Sequence, residues 1–149
     1  MPTNHPTAPA PGRLDCACAN LRRAARAVTQ LYDGALRPMG LRATQFTLLQ
    51  VLGRRGAVTQ AALGEFLAID STTLSRTVRL LERVGWVRRA PGDDRRERHL
   101  ELTPSGRRVL ARATPAWERA QRRLRDRVGV RHWLALQDLL ETMAGAARR

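Results

Sequence analysis

The apolar residues of this chain recur mostly three and four positions apart, which is the spacing that places them on one face of an α-helix. The first stripe predicts a helix over about 14–37, ending before Pro38 because proline disfavours helical backbone in the residue before it. A second stripe within 41–55 predicts another helix, with Thr44 as its N-cap and Gly53 and Gly56 near its end. The apolar or small members of the first stripe are Leu14, Cys18, Leu21, Ala25, Val28 and Tyr32.

Two short helices follow in close succession. Thr59 is the predicted N-cap of a helix over Gln60 to Leu67, and Asp70 is the predicted N-cap of the next helix. Only residues 68–69 separate the two, and such close succession is typical of a helix-turn-helix. The later helix has a buried face fixed by apolar residues at i, i+4 and i+7, namely Leu74, Val78 and Leu81.

After Gly85 the pattern changes from helical spacing to short strand-like segments. Two candidate strands, 86–89 and 98–102, flank the sequence Pro-Gly-Asp-Asp at 91–94, which is a strong turn signal. A hairpin directly after a helix-turn-helix is the wing of a winged helix-turn-helix.

Two further helices complete the chain. Thr103 before Pro104 predicts an N-cap followed by proline at the first helical position, and Gly129 separates this long helix from a last one. The inner stripe of the long helix is Val109, Ala113, Ala116, Trp117, Ala120 and Leu124, and that of the last is Val130, Trp133, Leu134, Leu136, Leu140 and Met143. These amphipathic terminal helices must pack on one another or on a second subunit. The predicted fold is therefore mainly α with a small β-hairpin wing, a winged helix-turn-helix whose N- and C-terminal helices form a dimerisation region.

Charge points to a polyanionic partner. The 149 residues include 27 basic and 13 acidic side chains, for a formal net charge of +14, and every basic residue is arginine. The absence of lysine fits arginine-rich codon usage in a GC-rich genome, and functional selection is the alternative. Because arginine keeps its proton, binding should depend on salt much more than on pH near neutrality.

Composition narrows the class of protein further. A hydrophobic content of 43% over this length fits one globular domain, and no apolar run is long enough to cross a membrane. Residues 1–12 are proline-rich without an apolar core segment, which predicts a disordered tail rather than a signal peptide. With only two cysteines a disulfide scaffold is not expected, and the predicted location is the cytoplasm.

The Asp70-capped helix has a polar face that suits the major groove of double-stranded DNA. At about 100° per residue, the side chains of Thr72, Arg76, Arg79 and Arg83 form a stripe opposite Leu74. The stripe presents a small hydroxyl and guanidinium groups, which suit the groove, although a merely solvated face would show the same periodicity. Residues near the helix start should reach deepest, and later ones should lie nearer phosphates. The base-reading candidates are Ser71, Thr72, Thr73, Ser75 and Arg76, the phosphate candidates are Arg79 and Arg83, and Thr59 and Gln60 could add backbone N–H contacts.

Three segments carry a resemblance to a known family: LRATQFTLLQVL, DSTTLSRTVRLLERVGWVRR and DDRRERHLELTPSGRRVL. With them, residues 14–143 resemble the multiple-antibiotic-resistance regulator (MarR) family of bacterial transcription factors. The resemblance implies a single domain over 13–149, with a winged core at about 41–103 and dimerisation helices at about 14–37 and 104–147. It also implies a homodimer, usually a repressor, which reads a pseudo-palindromic site and releases it when a small lipophilic or phenolic effector binds.

The same resemblance implies a role for the charged residues at the tip of the predicted hairpin. Asp94 and Arg96 match the Asp-x-Arg motif of the family's wing, which implies that Asp94 braces the loop and Arg96 enters the minor groove. Arg95 is a weaker candidate for the same contact. A solvated hairpin tip is the alternative reading.

The two cysteines raise the question of redox control. Cys18 lies on the apolar stripe of the first helix, so it is either a small core residue or a reactive thiol. If Asp15 is the N-cap, Cys16 and Cys18 both lie in the first turn, but about 200° apart, which argues against a bridge within a continuous helix. Cys18 and Tyr32 resemble the reactive site of organic-hydroperoxide-sensing members, with Arg22 where a second tyrosine is found.

Other chemistry finds little support in the sequence. The three histidines lack zinc-ligand spacing, so no metal and no cofactor are predicted. Without a Cys-x-x-Cys motif or a βαβ pattern, a thiol oxidoreductase is a weak rival and the chain is not expected to be an enzyme. The other rival is a winged helix that binds only protein. Trp117 and Trp133 are either core residues or part of a ligand cavity.

Overall fold

A computed structural model describes Gly12, residues 14–91 and residues 98–147 of the chain. The predicted disordered tail, 1–12, lies outside the described residues except for Gly12. The elements are α1 (Ala17–Leu36), α2 (Ala43–Arg55), β1 (Val58–Thr59), α3 (Gln60–Leu67), α4 (Ser71–Arg83), β2 (Val87–Pro91), β3 (Arg98–Leu102), α5 (Pro104–Val128) and α6 (Val130–Ala146), with one 3₁₀ turn (Arg37–Met39) between α1 and α2.

Helix α1 begins later than its apolar stripe suggests. Cys16, with extended backbone, is the N-cap in place of Asp15, so only Cys18 of the two cysteines lies within the helix. The amide nitrogen of Asn20 donates to the carbonyl oxygens of Leu14 and of Cys16, the latter at 3.1 Å, and its oxygen accepts from the Leu14 amide. These bonds hold residues 14–16 against the first turn without extending the helix through them.

The start of α2 is stabilised by a residue from the preceding helix. The carboxylate of Asp33 accepts the Ala43 amide at 2.7 Å, and its other oxygen lies 3.4 Å from a guanidinium nitrogen of Arg42. The side-chain oxygen of Gln45 accepts the Arg42 amide at 2.9 Å. The prediction that Thr44 caps this helix is therefore wrong: Arg42 is the N-cap, and acceptors from Asp33 and Gln45 satisfy the first amides.

The helix-turn-helix forms where it was predicted, between α3 and α4. The Thr59 hydroxyl accepts the Ala62 amide at 3.1 Å, and the Asp70 carboxylate accepts the Thr73 amide at 2.9 Å, so both predicted caps are confirmed. Ala68 ends α3 in the left-handed region, with φ of 51°, and this allows the sharp turn into α4.

The wing is part of a three-stranded antiparallel sheet with strand order β1-β3-β2. Strands β2 and β3 form the predicted hairpin, with Val87 opposite Leu102. The two-residue strand β1 was not predicted; it adds to the other edge of β3, with Val58 opposite Leu100. Through this pairing the start of α3 is attached to the base of the wing.

Helix α5 is joined to the winged core at its first turn. The Thr103 hydroxyl accepts the Gly106 amide at 3.0 Å, as predicted for an N-cap, and donates to the Gly85 carbonyl at 2.6 Å. The Thr103 amide in turn donates to the Trp86 carbonyl at 3.0 Å. The helix continues through Pro115 to Val128, and Gly129, with φ of 86°, turns the chain into α6 as predicted.

One core joins the winged module to α1 and α5, whereas much apolar surface elsewhere is uncovered. Helix α6 contributes no buried residue to the single chain. None of the described helices is both long and apolar enough to span a bilayer. The buried core consists of Leu36, Leu41, Phe46, Leu48, Leu49, Leu52, Leu63, Leu74, Val78, Leu81, Val87, Leu100, Leu102, Val109 and Ala113, with Ala116 and Ala120 further along α5.

Candidate nucleic-acid interface

The outward face of α4 is an exposed, basic surface. Leu74, Val78 and Leu81 are buried beneath the helix, as predicted, so the opposite side is directed to solvent. A shallow groove runs along this side, lined by Ser71, Thr72, Ser75, Arg76, Arg79 and Arg83. Five of the six lining residues are exposed, and Ser75 is half-buried. Thr73 is also exposed but does not line the groove.

The three arginines of this groove are free to meet an external anion. Within the described parts of the chain, Arg76, Arg79 and Arg83 have no acidic partner, whereas Arg88 and Arg89 on the neighbouring strand are both ion-paired. These three guanidinium groups lie on successive turns of one helix and make a line of positive potential, with forked donors that suit phosphate and guanine.

The N-terminus of α4 is held by a cap that itself carries charge. Hydrogen bonds from the Thr73 side chain and then from the Thr73 backbone amide lower the pKa of the Asp70 carboxyl. The ionised cap fixes the first turn, in which the predicted base-reading residues begin. Its negative charge also interacts favourably with the positive end of the helix dipole.

Thr59 and Gln60 lie beside this groove, at the start of α3, and their side chains are already engaged. The Thr59 hydroxyl caps its own helix, as described above. The Gln60 amide donates from Nε2 to the Ser75 hydroxyl at 2.8 Å, which ties α3 to α4. The predicted backbone contact of these two residues with phosphate stays a prediction.

An ion pair next to Gln60 was missed by the sequence reading. Arg89 on β2 donates from Nε to a carboxylate oxygen of Glu82 at 2.8 Å, and from Nη2 to the Gln60 oxygen at 3.2 Å. The available signal was the opposite charge of Glu82 and Arg89 on either side of the α4–β2 turn. Nothing local pointed to Gln60, which is brought there by the pairing of β1 with β3.

Asp94, Arg95 and Arg96, the predicted minor-groove residues, lie outside the described residues, and their roles stay predictions. At the base of the wing, Arg88 and Glu101 form an ion pair at 2.6 Å across β2 and β3, in directly opposed positions.

The redox candidates are separated along α1. Both cysteines are exposed, so the reading of Cys18 as a core residue is wrong for the single chain. Because Cys16 precedes the helix, the argument from their 200° separation on one continuous helix does not apply. Tyr32 lies fourteen residues beyond Cys18, about 21 Å along the axis. Its hydroxyl donates to the Gln121 side chain of α5, and burial raises the pKa of this phenol.

Two groups of aromatic side chains are relevant to the binding of an effector. Trp117 packs beside Phe46, with ring centroids 5.7 Å apart, on the edge of the core. A cleft of about 530 Å³ lies between α3 and α6, lined by Arg55, Ala62, Glu65, Phe66, Glu141, Ala144 and Gly145, and the Arg55 guanidinium lies 3.9 Å from the centre of the Phe66 ring. In the described ranges no three His, Cys, Asp or Glu side chains gather as a metal site would require.

Comparison with known proteins agrees with this geometry. The sequence model of the MarR family matches residues 39–97, which run from the end of the first helical region into the wing. The regulator YwoH of Bacillus subtilis is 34% identical over 83 residues, or 56% of this chain. That match covers 61% of YwoH, so the chain spans less than two thirds of that relative's length.

Solved structures extend the likeness to nearly the whole chain. The Mycobacterium tuberculosis transcriptional regulator MosR, crystallised in complex with DNA, has a TM-score of 0.81 and 37% sequence identity, over 90% of this chain and 97% of MosR. The transcriptional repressor CouR, bound to a DNA duplex, has a TM-score of 0.79 and 29% identity, over 87% of this chain and 93% of CouR.

Fold and site together define a winged helix-turn-helix regulator. The helix-turn-helix, the three-stranded wing and the arginine-lined face of α4 occur in one module, flanked by long helices that leave apolar surface uncovered. The chain belongs to the MarR family, and the relatives named above are transcriptional regulators.

Proposed function

We propose that this protein is a homodimeric, sequence-specific transcriptional repressor that binds a pseudo-palindromic operator in double-stranded DNA. The observation that carries the proposal is the exposed face of α4, with three arginines that have no acidic partner among the described residues, on a helix whose other side is buried in the core. MosR and CouR, which share this fold at 37% and 29% identity, were crystallised with DNA. Its place of action is the cytoplasm, where chromosomal DNA lies in bacteria.

The dimer is supported by apolar side chains that the single chain leaves in water. On α6 the exposed fractions reach 60% for Val130, 62% for Leu134 and 60% for Leu139, and Leu21 on α1 is 37% exposed. Monomeric proteins rarely leave so many large apolar residues uncovered in adjacent turns. Burial of α1, α5 and α6 against a second copy would also set the separation of two α4 helices, at about 34–36 Å for half-sites one helical turn apart.

Selection of bound duplexes from a random DNA pool, followed by competition against scrambled sequence, tests the proposal directly. We expect one recovered motif with two inverted half-sites, bound by a dimer in light scattering at micromolar concentration. The affinity should fall steeply with salt, because several phosphates exchange their counterions for arginine. A monomer that binds a single half-site tightly, or binding without sequence preference, would contradict the proposal.

A small lipophilic or phenolic effector is the first proposed release signal. The cleft between α3 and α6 offers a half-exposed phenyl ring, Phe66, beneath the Arg55 guanidinium, and this pair suits the ring of a phenolic compound. Titration of the DNA complex with a panel of uncharged phenolic compounds should release DNA from wild-type protein, and Phe66→Ala should raise the concentration required. Thr47→Ala, an exposed position on α2 away from the lining residues, is the control.

Thiol oxidation is the second candidate signal. Cys16 and Cys18 are both exposed at the start of α1 in the single chain. Helix α1 contacts α5, which reaches the winged core, so a change at its start could alter the placement of α4. An organic-hydroperoxide sensor acting through Cys18 is the specific form of this proposal, and its test is given in the Discussion.

A further inference from the structure

Four side chains form a continuous hydrogen-bonded series from the base of the wing to the groove of α4. Glu82 accepts from Arg89, Arg89 donates to Gln60, and Gln60 donates to Ser75, at 2.8, 3.2 and 2.8 Å. The series is partly shielded, since the side chains of Arg89 and Glu82 are 34% and 27% exposed and Gln60 and Ser75 are half-buried. Its last member, Ser75, lines the groove.

The chemistry of Arg89 fixes the direction of every bond in this series. A guanidinium has donors and no acceptor, so the atom of Gln60 that faces it must be the oxygen. The NH₂ group of Gln60 therefore faces Ser75. An amide nitrogen only donates, so the Ser75 hydroxyl must be the acceptor of that bond.

In this arrangement the hydroxyl hydrogen of Ser75 is not used in a hydrogen bond with another described residue. Across the described residues no acceptor is found for it, whereas Thr77, two positions later, donates its hydroxyl hydrogen to the Thr73 carbonyl at 3.0 Å. Ser75 is thus presented to the groove as a hydrogen-bond donor. Without Arg89, the Gln60 amide could rotate by 180°, and the hydroxyl could turn its lone pairs outward.

We infer that Arg89 is a specificity-determining positioning residue, which acts through Gln60 to make Ser75 donate to an acceptor on a base edge of the bound DNA. The inference rests on the proposed function. Acceptors in the major groove are N7 and O6 of guanine, N7 of adenine and O4 of thymine, whereas cytosine offers only the N4 donor. Ser75 should therefore disfavour cytosine at the base that it contacts. A base edge is favoured over a phosphate because Ser75 lies near the start of α4, which enters the groove first.

The test is a comparison of operator duplexes that carry each of the four bases at each half-site position. In wild-type protein one position should disfavour cytosine, by about three- to tenfold, the range of one hydrogen bond. Both Ser75→Ala and Arg89→Met should remove this discrimination at the same position. The double variant should discriminate no less than Ser75→Ala alone, because Arg89 acts through Ser75.

Arg88→Met is the matched control. Arg88 is the neighbouring residue on β2, is also ion-paired, and loses the same charge, but it pairs with Glu101 and not with Gln60. It should lower the affinity for all duplexes and leave discrimination unchanged. Should Arg89→Met fail to fold by circular dichroism, Arg89→Lys keeps the charge but lacks the two-armed donor geometry, and it should lose the same discrimination.

Two results would overturn the inference and leave the proposed function standing. Unchanged discrimination in the folded Arg89 variants would show that Arg89 contributes charge alone. Equal weakening of all duplexes by Ser75→Ala would place the hydroxyl on a phosphate. Absence of any sequence preference in the wild-type protein would instead refute the proposed function, and this inference with it.

Discussion

A Cβ atom placed on Gly106 would lie 2.0 Å from the carbonyl oxygen of Trp86 and 2.9 Å from its carbonyl carbon. The first turn of α5 therefore packs directly on the backbone that leads from α4 into β2. Only glycine permits this approach, and the cap by Thr103 holds the same two segments together. The long helix outside the winged core is thus attached to it through main chain, which cannot yield as a flexible side chain would.

The first prediction follows from this contact. Gly106→Ala should lower the free energy of unfolding by about 3 kcal/mol, the upper end of the usual cost of overpacking, because the obstacle is backbone. Urea denaturation at fixed protein concentration measures the change. Gly34→Ala is the control, since a Cβ there meets no atom within 4 Å. That substitution in α1 should instead stabilise by about 0.5–1 kcal/mol, and equal effects at both positions would contradict the assignment.

The second prediction separates reading from anchoring along α4. Arg76→Ala should remove most sequence preference and cost about 1–3 kcal/mol, as expected for a bidentate contact with a base. Arg83→Ala, two turns later on the same face, should weaken all sequences nearly alike. Competition binding with cognate and scrambled duplexes distinguishes the two. Retention of full discrimination by the Arg76 variant would reject its assigned role.

The third prediction concerns pH and the cap of α4. Because hydrogen bonds lower the pKa of Asp70 in the folded state, its carboxylate stabilises the fold above the unfolded pKa of about 3.9. This contribution is lost as the pH falls through the lower, folded-state pKa. Asp70→Asn keeps an N-cap acceptor but cannot ionise, so the advantage of wild type over this variant should shrink as the pH drops below about 4. Urea midpoints of both proteins at pH 7 and near pH 3 measure it, and a constant difference would count against the charged cap.

The fourth prediction tests thiol control. Organic hydroperoxide should release wild-type protein from its operator, because oxidation of Cys18 adds polar volume at the start of α1. Cys18→Ser should keep its DNA under the same treatment. Cys16→Ser shows whether the neighbouring exposed thiol is needed as well. If wild-type affinity survives hydroperoxide, or if the Cys18 variant releases DNA as readily, control through Cys18 is wrong.

The elements that the sequence predicted correctly are those whose signals are local. Asp70 and Thr103 each accept an amide hydrogen from three residues ahead, so residue type and spacing were enough to locate both helix starts. The buried face of α4 followed from its periodicity alone. The same logic placed the turn at Gly129.

The features that were missed or misplaced depend on residues distant in sequence. The sequence predicts Thr44 as the cap because nothing local shows that Asp33, ten positions before Ala43, supplies the acceptor. Strand β1 is two residues long and exists only through its pairing with β3. The bond between Arg89 and Gln60 joins residues 29 positions apart. Such contacts appear only when the fold brings the elements together.

The attachment of α5 also gives the molecule a mechanical property. Its 25 residues make a rod of about 37 Å, interrupted in hydrogen bonding only where Pro115 lacks an amide hydrogen. One end is fixed to the winged core at Gly106 and the other reaches the turn at Gly129. If the Gly129 end is held and the helix tilts by about 10°, the Gly106 end and the winged core attached to it move by about 6 Å, twice the length of a hydrogen bond. On the proposed function, the helix would then act as a lever, in which a small angular change where the helices meet displaces α4 far enough to break its contacts with the bases.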